Sequence, residues 1–290
     1  MRKLARALAR LVFGNEGLSR RLERIPWAHA LARRLRLREW MNAALARYPI
    51  RRALQGSGVV YSVENFETLA VERTYFGNPL LTGILAANPP ATFIDLGCNS
   101  GIFPCTIAHA AHGRAPRGLC VDANAAQVQL AQKNVALNRW PGVHVLCGLV
   151  GGVHPEKNEA DFFLAPTSLG SSQFAYRETE SGYPLDWKRV VVPTLRVESA
   201  WTRLFGADLR CECLKVDIEG SEMNFFRQET GLLARVDTIL LEWHIWATTR
   251  DEIVRFLDGR NFRLEQTIEN EPRHGVLFFR NRRRTKESGE

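Results

Sequence analysis

From residue 93 onward, short apolar runs alternate with segments of helical spacing. Phe93-Ile94-Asp95-Leu96 is one run, Gly118-Leu119-Cys120-Val121-Asp122 the next, and Val143 to Val150 a third. Ile102 to Ala111 reads as a helix after the first run. Ala125 to Asn138 does so after the second, with Ala126, Val128, Leu130, Ala131, Val135 and Leu137 apolar and Gln and Lys between them. Two further runs follow. In Cys213 to Glu222, Leu214, Val216 and Ile218 alternate with Lys215, Asp217 and Glu219, so Asp217 and Glu219 share strand parity. Thr238 to His244 ends in Glu242 and His244. Strands alternating with helices of this length predict βαβ units and an open, mostly parallel α/β sheet. Polar groups close four of these strands, where ligands sit in such sheets. Upstream, Tyr61 to Leu85 reads as helical, and Asn88-Pro89-Pro90 breaks the chain before the first core strand.

The first run leads into Gly97-Cys98-Asn99-Ser100-Gly101, which predicts a strand, a tight turn and a helix N-terminus, the arrangement that cradles a nucleotide-like ligand. The turn is not G-x-G-x-x-G, because Asn99 stands where a dinucleotide fingerprint has its middle glycine. Asp95 places a carboxylate where a pyrophosphate would be repelled. An acid there suits a ligand with a cationic amino group, and S-adenosylmethionine has one. Asp122 follows Gly101 by 21 residues, the distance at which an acid meets ribose hydroxyls. These residue types favour S-adenosylmethionine over NAD. The expected cofactor set is Asp95, Gly97, Cys98, Asn99, Gly101, Asp122, Ala123 and Leu149. The Gly148 to Gly152 loop offers no polar side chain, so Leu149 contributes apolar contact.

At these residues the chain resembles the FkbM-type S-adenosylmethionine-dependent methyltransferases. The resemblance rests on FIDLGCNSGIF, CVDAN, LKVDIEGSE and ILLEWH, with Pro193 to Val197 also fitting, and covers roughly residues 60 to 280. Cys98 stands where the family usually has alanine, and Arg196 where an acid is common. The resemblance implies a Rossmann-like class I methyltransferase fold: a mostly parallel seven-stranded sheet whose last two strands, Phe262 to Ile268 and Gly275 to Arg280, form an antiparallel hairpin. It implies methyl transfer, usually to a hydroxyl of a sugar, lipid-linked or natural-product acceptor.

A neutral alcohol needs a base near its oxygen. His244 is the first candidate, because its ordinary pKa lies near operating pH. Glu219, Asp217 and Lys215 are the others. Paired acids there suit a hydroxyl or a divalent cation, but a metal site wants more oxygen ligands than the pattern assigns, so no metal ligand is named. Other chemistries fit less well. An amino-methylating nucleic-acid enzyme usually shows Asn/Asp-Pro-Pro-aromatic where this chain has Asp217-Ile218-Glu219-Gly220. Cys213 lies too early to serve as a cytosine-C5 nucleophile. A non-catalytic binding protein that keeps the fold is the alternative of a different class.

Composition refines the partners. Six scattered cysteines without a C-x-x-C pair read as reduced, apolar residues of a cytoplasmic protein, and Cys211 and Cys213 as sharing one face of a strand. No apolar run is long enough to span a bilayer, and no signal-peptide pattern opens the chain. Charge is uneven: residues 1–60 carry 14 Lys+Arg against 3 Asp+Glu, while residues 61–280 are net −5. The chain therefore divides into a basic helical appendage (1–60), a methyltransferase domain (61–280) and a basic tail (281–290). Leu4, Leu8, Leu11 and Val12 interleave with Arg2, Lys3, Arg6 and Arg10, and Ala28 to Tyr48 also reads helical. A helical cap and a peripheral contact with anionic membrane through residues 1–26 both fit. Nucleic acid fits less well, since residues 1–26 lack interleaved aromatics for base stacking. Residues 153–192 form a long Pro/Gly-marked insertion, assigned to substrate recognition.

Overall fold

The computed structural model describes residues 37–165, 170–174 and 187–283. The basic segment 1–26 and the tail from 284 lie outside the described residues.

The main sheet has seven strands in the order β5-β4-β3-β8-β9-β11-β10. These are β3 (Thr92–Leu96), β4 (Arg117–Asp122), β5 (Val143–Cys147), β8 (Cys211–Val216), β9 (Val236–His244), β10 (Phe262–Asn270) and β11 (His274–Asn281). β3 is parallel to β4 and β8, β4 to β5, and β8 to β9, while β11 is antiparallel to both β9 and β10. This is the expected class I arrangement with its antiparallel C-terminal hairpin. All five residues of β3 are buried, as a parallel strand covered on both faces requires.

Alternation along the strands feeds two cores. Ile94, Leu96, Leu119 and Val121 join Trp201, Phe225 and Phe226 on one face. Phe93 and Cys120 join Ile102, Phe103 and Tyr61 on the other. Each fully buried large side chain is worth roughly 1.5–3 kcal/mol of transfer free energy. Cys211 and Cys213, expected on one face, are divided between the two cores. All six cysteines are free, five of them buried.

Helices cross between the strands. α4 (Ile102–Ala110) follows β3 and α5 (Ala125–Leu137) follows β4, within a residue of the periodic segments. Asn124 caps α5 by accepting from the Ala126 amide. α6 (Val197–Phe205) precedes β8; α7 (Glu222–Gln228) and α8 (Thr230–Leu233) precede β9; α9 (Arg250–Asp258) precedes β10.

The N-terminal region differs from its sequence reading. After α1 (Leu37–Arg47), residues 50–63 form a hairpin, β1 (Ile50–Ala53) with β2 (Val60–Val63), so Tyr61 is in a strand. The expected boundary at residue 60 falls within this hairpin. α2 (Phe66–Phe76) and α3 (Pro79–Ala87) then supply the expected helices. Two asparagines of α5 tie the hairpin down. Asn134 accepts from the Ser62 amide and donates to the Ser100 carbonyl, both at 2.8 Å, and Asn138 accepts from Val60 at 2.8 Å. Asn134 thus links the hairpin to the glycine turn.

The described part of the 153–192 insertion contains a second hairpin, β6 (Glu159–Leu164) with β7 (Lys188–Pro193), and Ser172 bridges to Phe163 of β6. Phe162 and Val192 pack with Ala123 and Leu149 in a small third core. No helix among the described residues is long and apolar enough to cross a membrane.

Candidate active site

The sheet changes direction at β3. Its neighbour β4 continues one half, and β8 begins the other, which makes their C-terminal ends the crevice where ligands bind. The turn after β3 folds onto β4: the Gly97 and Cys98 amides both donate to the Val121 carbonyl. Gly97 has φ +71°, and a Cβ there would lie 1.7 Å from the Asp217 carbonyl oxygen, so only glycine fits. Asn99 is also left-handed, and its amide donates to Asp122 at 2.8 Å. The other Asp122 oxygen accepts from the Asn124 amide at 2.8 Å. Burial raises the Asp122 pKa to about 6, against the opposing pull of these two amides.

A cavity of about 270 Å³ opens here. Gly97, Cys98, Asn99, Asp122, Ala123 and Leu149 of the expected cofactor set line it, together with Lys215, Asp217 and Glu219 of the expected catalytic set. Three expected residues do not. Gly101 caps α4 behind the turn, against Ala131. His244 stands behind the carboxylates. Asp95 is fully buried under the cavity floor, 3.2 Å from the Lys215 ammonium. The cation beside Asp95 is therefore the protein's own lysine, its register partner across β3 and β8. Lys215 also donates to the Gly97 carbonyl at 2.7 Å and lies 3.4 Å from Asp217. Burial works against the charge on Lys215, but the Asp95 and Asp217 carboxylates outweigh it and hold the amine protonated.

Asp217 and Glu219 reach the cavity for a different reason than strand parity. β8 ends at Val216, and both acids sit in the turn that follows, Glu219 at φ +48°. The next residue, Gly220, has φ +91° and packs so closely under Trp246 that a Cβ would lie 1.8 Å from the indole. The turn brings Glu219 within 3.4 Å of His244 Nε2, and Glu242 of β9 lies 3.8 Å from the same nitrogen. On the other side of the ring, Nδ1 is 3.3 Å from Glu222, a fully buried carboxylate that also accepts from the Gly220 amide.

Burial disfavours the His244 cation, yet the Glu222 hydrogen bond and the charges of Glu219, Glu222 and Glu242 push its pKa up to about 10. It therefore carries a proton at neutral pH, and the free lone pair expected of a base is not there. Burial raises Glu219 to about 7 and Glu242 to about 8, with neighbouring carboxylates adding to the effect. Glu242, Tyr75, Phe162 and Ser171 also line the cavity without having been named as site residues. The polar end of the ILLEWH run marked Glu242. Tyr75 and Phe162 carried no local signal, since one comes from α2 and the other from the insertion hairpin. The sequence reading named no metal ligand, but donor atoms of Asp217, Glu242 and His244 all lie within 4.8 Å of one another.

The Methyltransferase FkbM domain matches residues 45–264. No curated protein matches the chain by sequence. Among solved structures, magnesium protoporphyrin IX methyltransferase (ChlM) from Synechocystis PCC 6803 with bound SAM is 10% identical, with a TM-score of 0.42 over 72% of this chain and 79% of that one. M. capricolum TrmK in complex with S-adenosyl-homocysteine is 8% identical, with a TM-score of 0.39 over 69% and 67%. Likenesses this distant carry no argument, and the assignment rests on the domain match. The chain belongs to the FkbM methyltransferase family, and its methyl donor is S-adenosylmethionine.

Proposed function

We propose that this methyltransferase acts on a hydroxyl oxygen of a sugar, lipid-linked or natural-product acceptor. The observation that carries the proposal is the convergence of Asp217, Glu219 and Glu242 on the cavity that also holds the glycine turn.

The cavity suits the donor. Asp122 offers a carboxylate to ribose hydroxyls, Ala123, Leu149 and Phe162 offer an apolar wall to a base, and Gly97 permits close approach of the backbone. Bound there, S-adenosylmethionine supplies a methyl group already activated by its sulfonium. The protein's part is to align the acceptor, exclude water and take a proton. Glu219 takes the proton. It lines the cavity, its pKa of about 7 lies near operating pH, and His244 positions its carboxylate. As the acceptor oxygen forms its bond to the methyl carbon, the carbon–sulfur bond breaks, its electron pair stays on sulfur, and the hydroxyl proton moves to Glu219.

Ile245 and Trp246 are 47% and 42% exposed beside His244, and Phe174 meets Trp246 edge-on at 5.9 Å. An aromatic face beside carboxylates suits a sugar ring, whose C–H faces stack while its hydroxyls bond. The insertion also contributes Gly170 and Ser171 to the cavity, which supports its role in substrate recognition.

The test is transfer from methyl-labelled donor to panels of glycans, lipid-linked sugars and hydroxylated natural products, with the product located by NMR. An O-methyl product, with turnover about 10²–10⁴-fold lower in Glu219→Gln and unchanged S-adenosylhomocysteine affinity, supports the reading. Methyl found on nitrogen or carbon overturns it.

A further inference from the structure

We propose that Asp217, Glu242 and His244 bind a divalent cation, with Glu222 as the carboxylate that positions the histidine, and that this cation holds the acceptor oxygen beside Glu219. The cation's task rests on the methyl-transfer reading above; its binding does not.

The geometry has three parts. First, the donor atoms of the three residues lie within 4.8 Å of one another. Two ligands about 2.1 Å from one ion stand about 3 Å apart when adjacent and about 4.2 Å when opposite, so small side-chain adjustments close the set. Second, the histidine is arranged as metal-binding histidines are. Its Nδ1 faces the Glu222 carboxylate at 3.3 Å, which leaves Nε2 directed at the carboxylates, where a bound ion would take the place of the Nε2 proton. A carboxylate on the far ring nitrogen fixes the tautomer and orientation of a metal-binding imidazole. Glu222 is itself fixed by the Gly220 amide, 3.0 Å away, and is wholly buried. Third, Glu242 is only 30% exposed, and no described residue donates a hydrogen bond to it. It pairs only loosely with His244, at 3.8 Å, and lines the cavity from which an ion would reach it. Lys215, 3.4 Å from one Asp217 oxygen, steadies that carboxylate from below.

The donor set selects the class of ion. Carboxylates with one imidazole suit Mg²⁺ or Mn²⁺, while thiolate-seeking metals find no cysteine in the set. Three protein ligands leave positions open toward the cavity, which Asp217 and Glu242 line. A hydroxyl entering an open position would be polarised there, and its proton would pass to Glu219 as the carbon–oxygen bond forms. The rival arrangement is a self-contained ion network, with protonated His244 bridging its carboxylates and no affinity for a metal.

The experiment is titration of the EDTA-treated full chain with MnCl₂, following free Mn²⁺ by electron paramagnetic resonance. One site per chain is expected. Affinity should fall at least about tenfold in Asp217→Asn and Glu242→Gln, and about tenfold in Glu222→Gln, while Glu269→Gln on the β10 surface leaves it unchanged. A second measurement needs no variant: Mn²⁺ should broaden the His244 ring signals before those of exposed His154. No stoichiometric site, equal affinity in the Asp217 and Glu242 variants, or unselective broadening overturns the proposal. Calorimetry with S-adenosylhomocysteine on the same samples separates the two readings. Nucleoside binding without Mn²⁺ binding removes only the cation, and Mn²⁺ binding without nucleoside binding removes the methyl-transfer reading and leaves the site.

Discussion

The Asp95–Lys215 pair makes the sharpest prediction, because sequence and structure give Asp95 different jobs. An acid serving the ligand's amino group would, when neutralised, cost cofactor affinity. The structure puts that acid below the cavity, 0% exposed, with Lys215 at 3.2 Å and only 6% exposed. At that separation, with an effective dielectric constant near 20, the attraction is about 5 kcal/mol. Desolvation offsets most of it, so the net worth of the intact pair is small, but removing one partner strands the other and costs about 3–5 kcal/mol. Asp95→Asn leaves Lys215 with Asp217 at 3.4 Å, which puts its cost near about 3 kcal/mol. Lys215→Met strands Asp95, which escapes in part by taking a proton. The double variant strands neither, so it should recover about 2 kcal/mol relative to the sum of the singles. Urea unfolding followed by tryptophan fluorescence measures all four stabilities, and calorimetry measures S-adenosylhomocysteine affinity. The reasoning is refuted if Asp95→Asn keeps wild-type stability but loses the ligand, or if the two single effects simply add.

Gly97→Ala combines a left-handed backbone with a 1.7 Å clash against the Asp217 carbonyl, and should cost more than about 2 kcal/mol and abolish S-adenosylhomocysteine binding; unfolding and calorimetry check both. For Asp122, the folded-state pKa is raised from 3.8 to about 6, so in the empty protein the carboxyl stays protonated up to that window, and a ligand donating to the carboxylate favours its ionised form. S-adenosylhomocysteine affinity should therefore weaken as pH falls below about 6 and level off above it, and Asp122→Asn should flatten that profile while weakening binding throughout. Deleting residues 1–26 should reduce sedimentation with phosphatidylserine vesicles at low salt, and equal sedimentation of both forms would remove the membrane contact.

The central sheet was legible because buried parallel strands read as nearly continuous apolar runs, as β3 and β4 do, while β8 showed itself by alternation of apolar and charged residues. Their spacing, with helical segments between, fixes the connections. The hairpin of residues 50–63 was not legible: Val60-Tyr61-Ser62-Val63 is too short to show a period, and its strand form depends on Asn134 and Asn138, more than 70 residues away. The β6–β7 pair was hidden for a similar reason, since its placement comes from Phe162 and Val192 packing on Ala123 and Leu149. Six of the eight residues expected at the cofactor line the cavity, because one local turn carries half of them. Asp95 was misplaced because nothing local says that β8 will set a lysine beside it.

The polar cluster shows what such reasoning needs beyond pattern. Continuing the alternation of β8 through Glu219 puts Asp217 and Glu219 on one side of a strand. The strand stops at Val216, where the Asp217 amide bonds the Leu96 carbonyl and the chain leaves the sheet. What brings the acids together is the left-handed turn at Glu219 and Gly220, made possible by a glycine under Trp246. Glu222 then closes the arrangement from behind by bonding both the Gly220 amide and His244. One residue thus fixes the turn that presents Glu219 and the ring that faces it. A substitution at Glu222 should therefore disturb the proton acceptor and the histidine together, although it touches neither cavity nor ligand. The Lys-x-Asp-x-Glu-Gly-Ser-Glu block is in this sense one device: its lysine anchors the glycine turn, its first two acids face the cavity, and its last acid holds the geometry of the others.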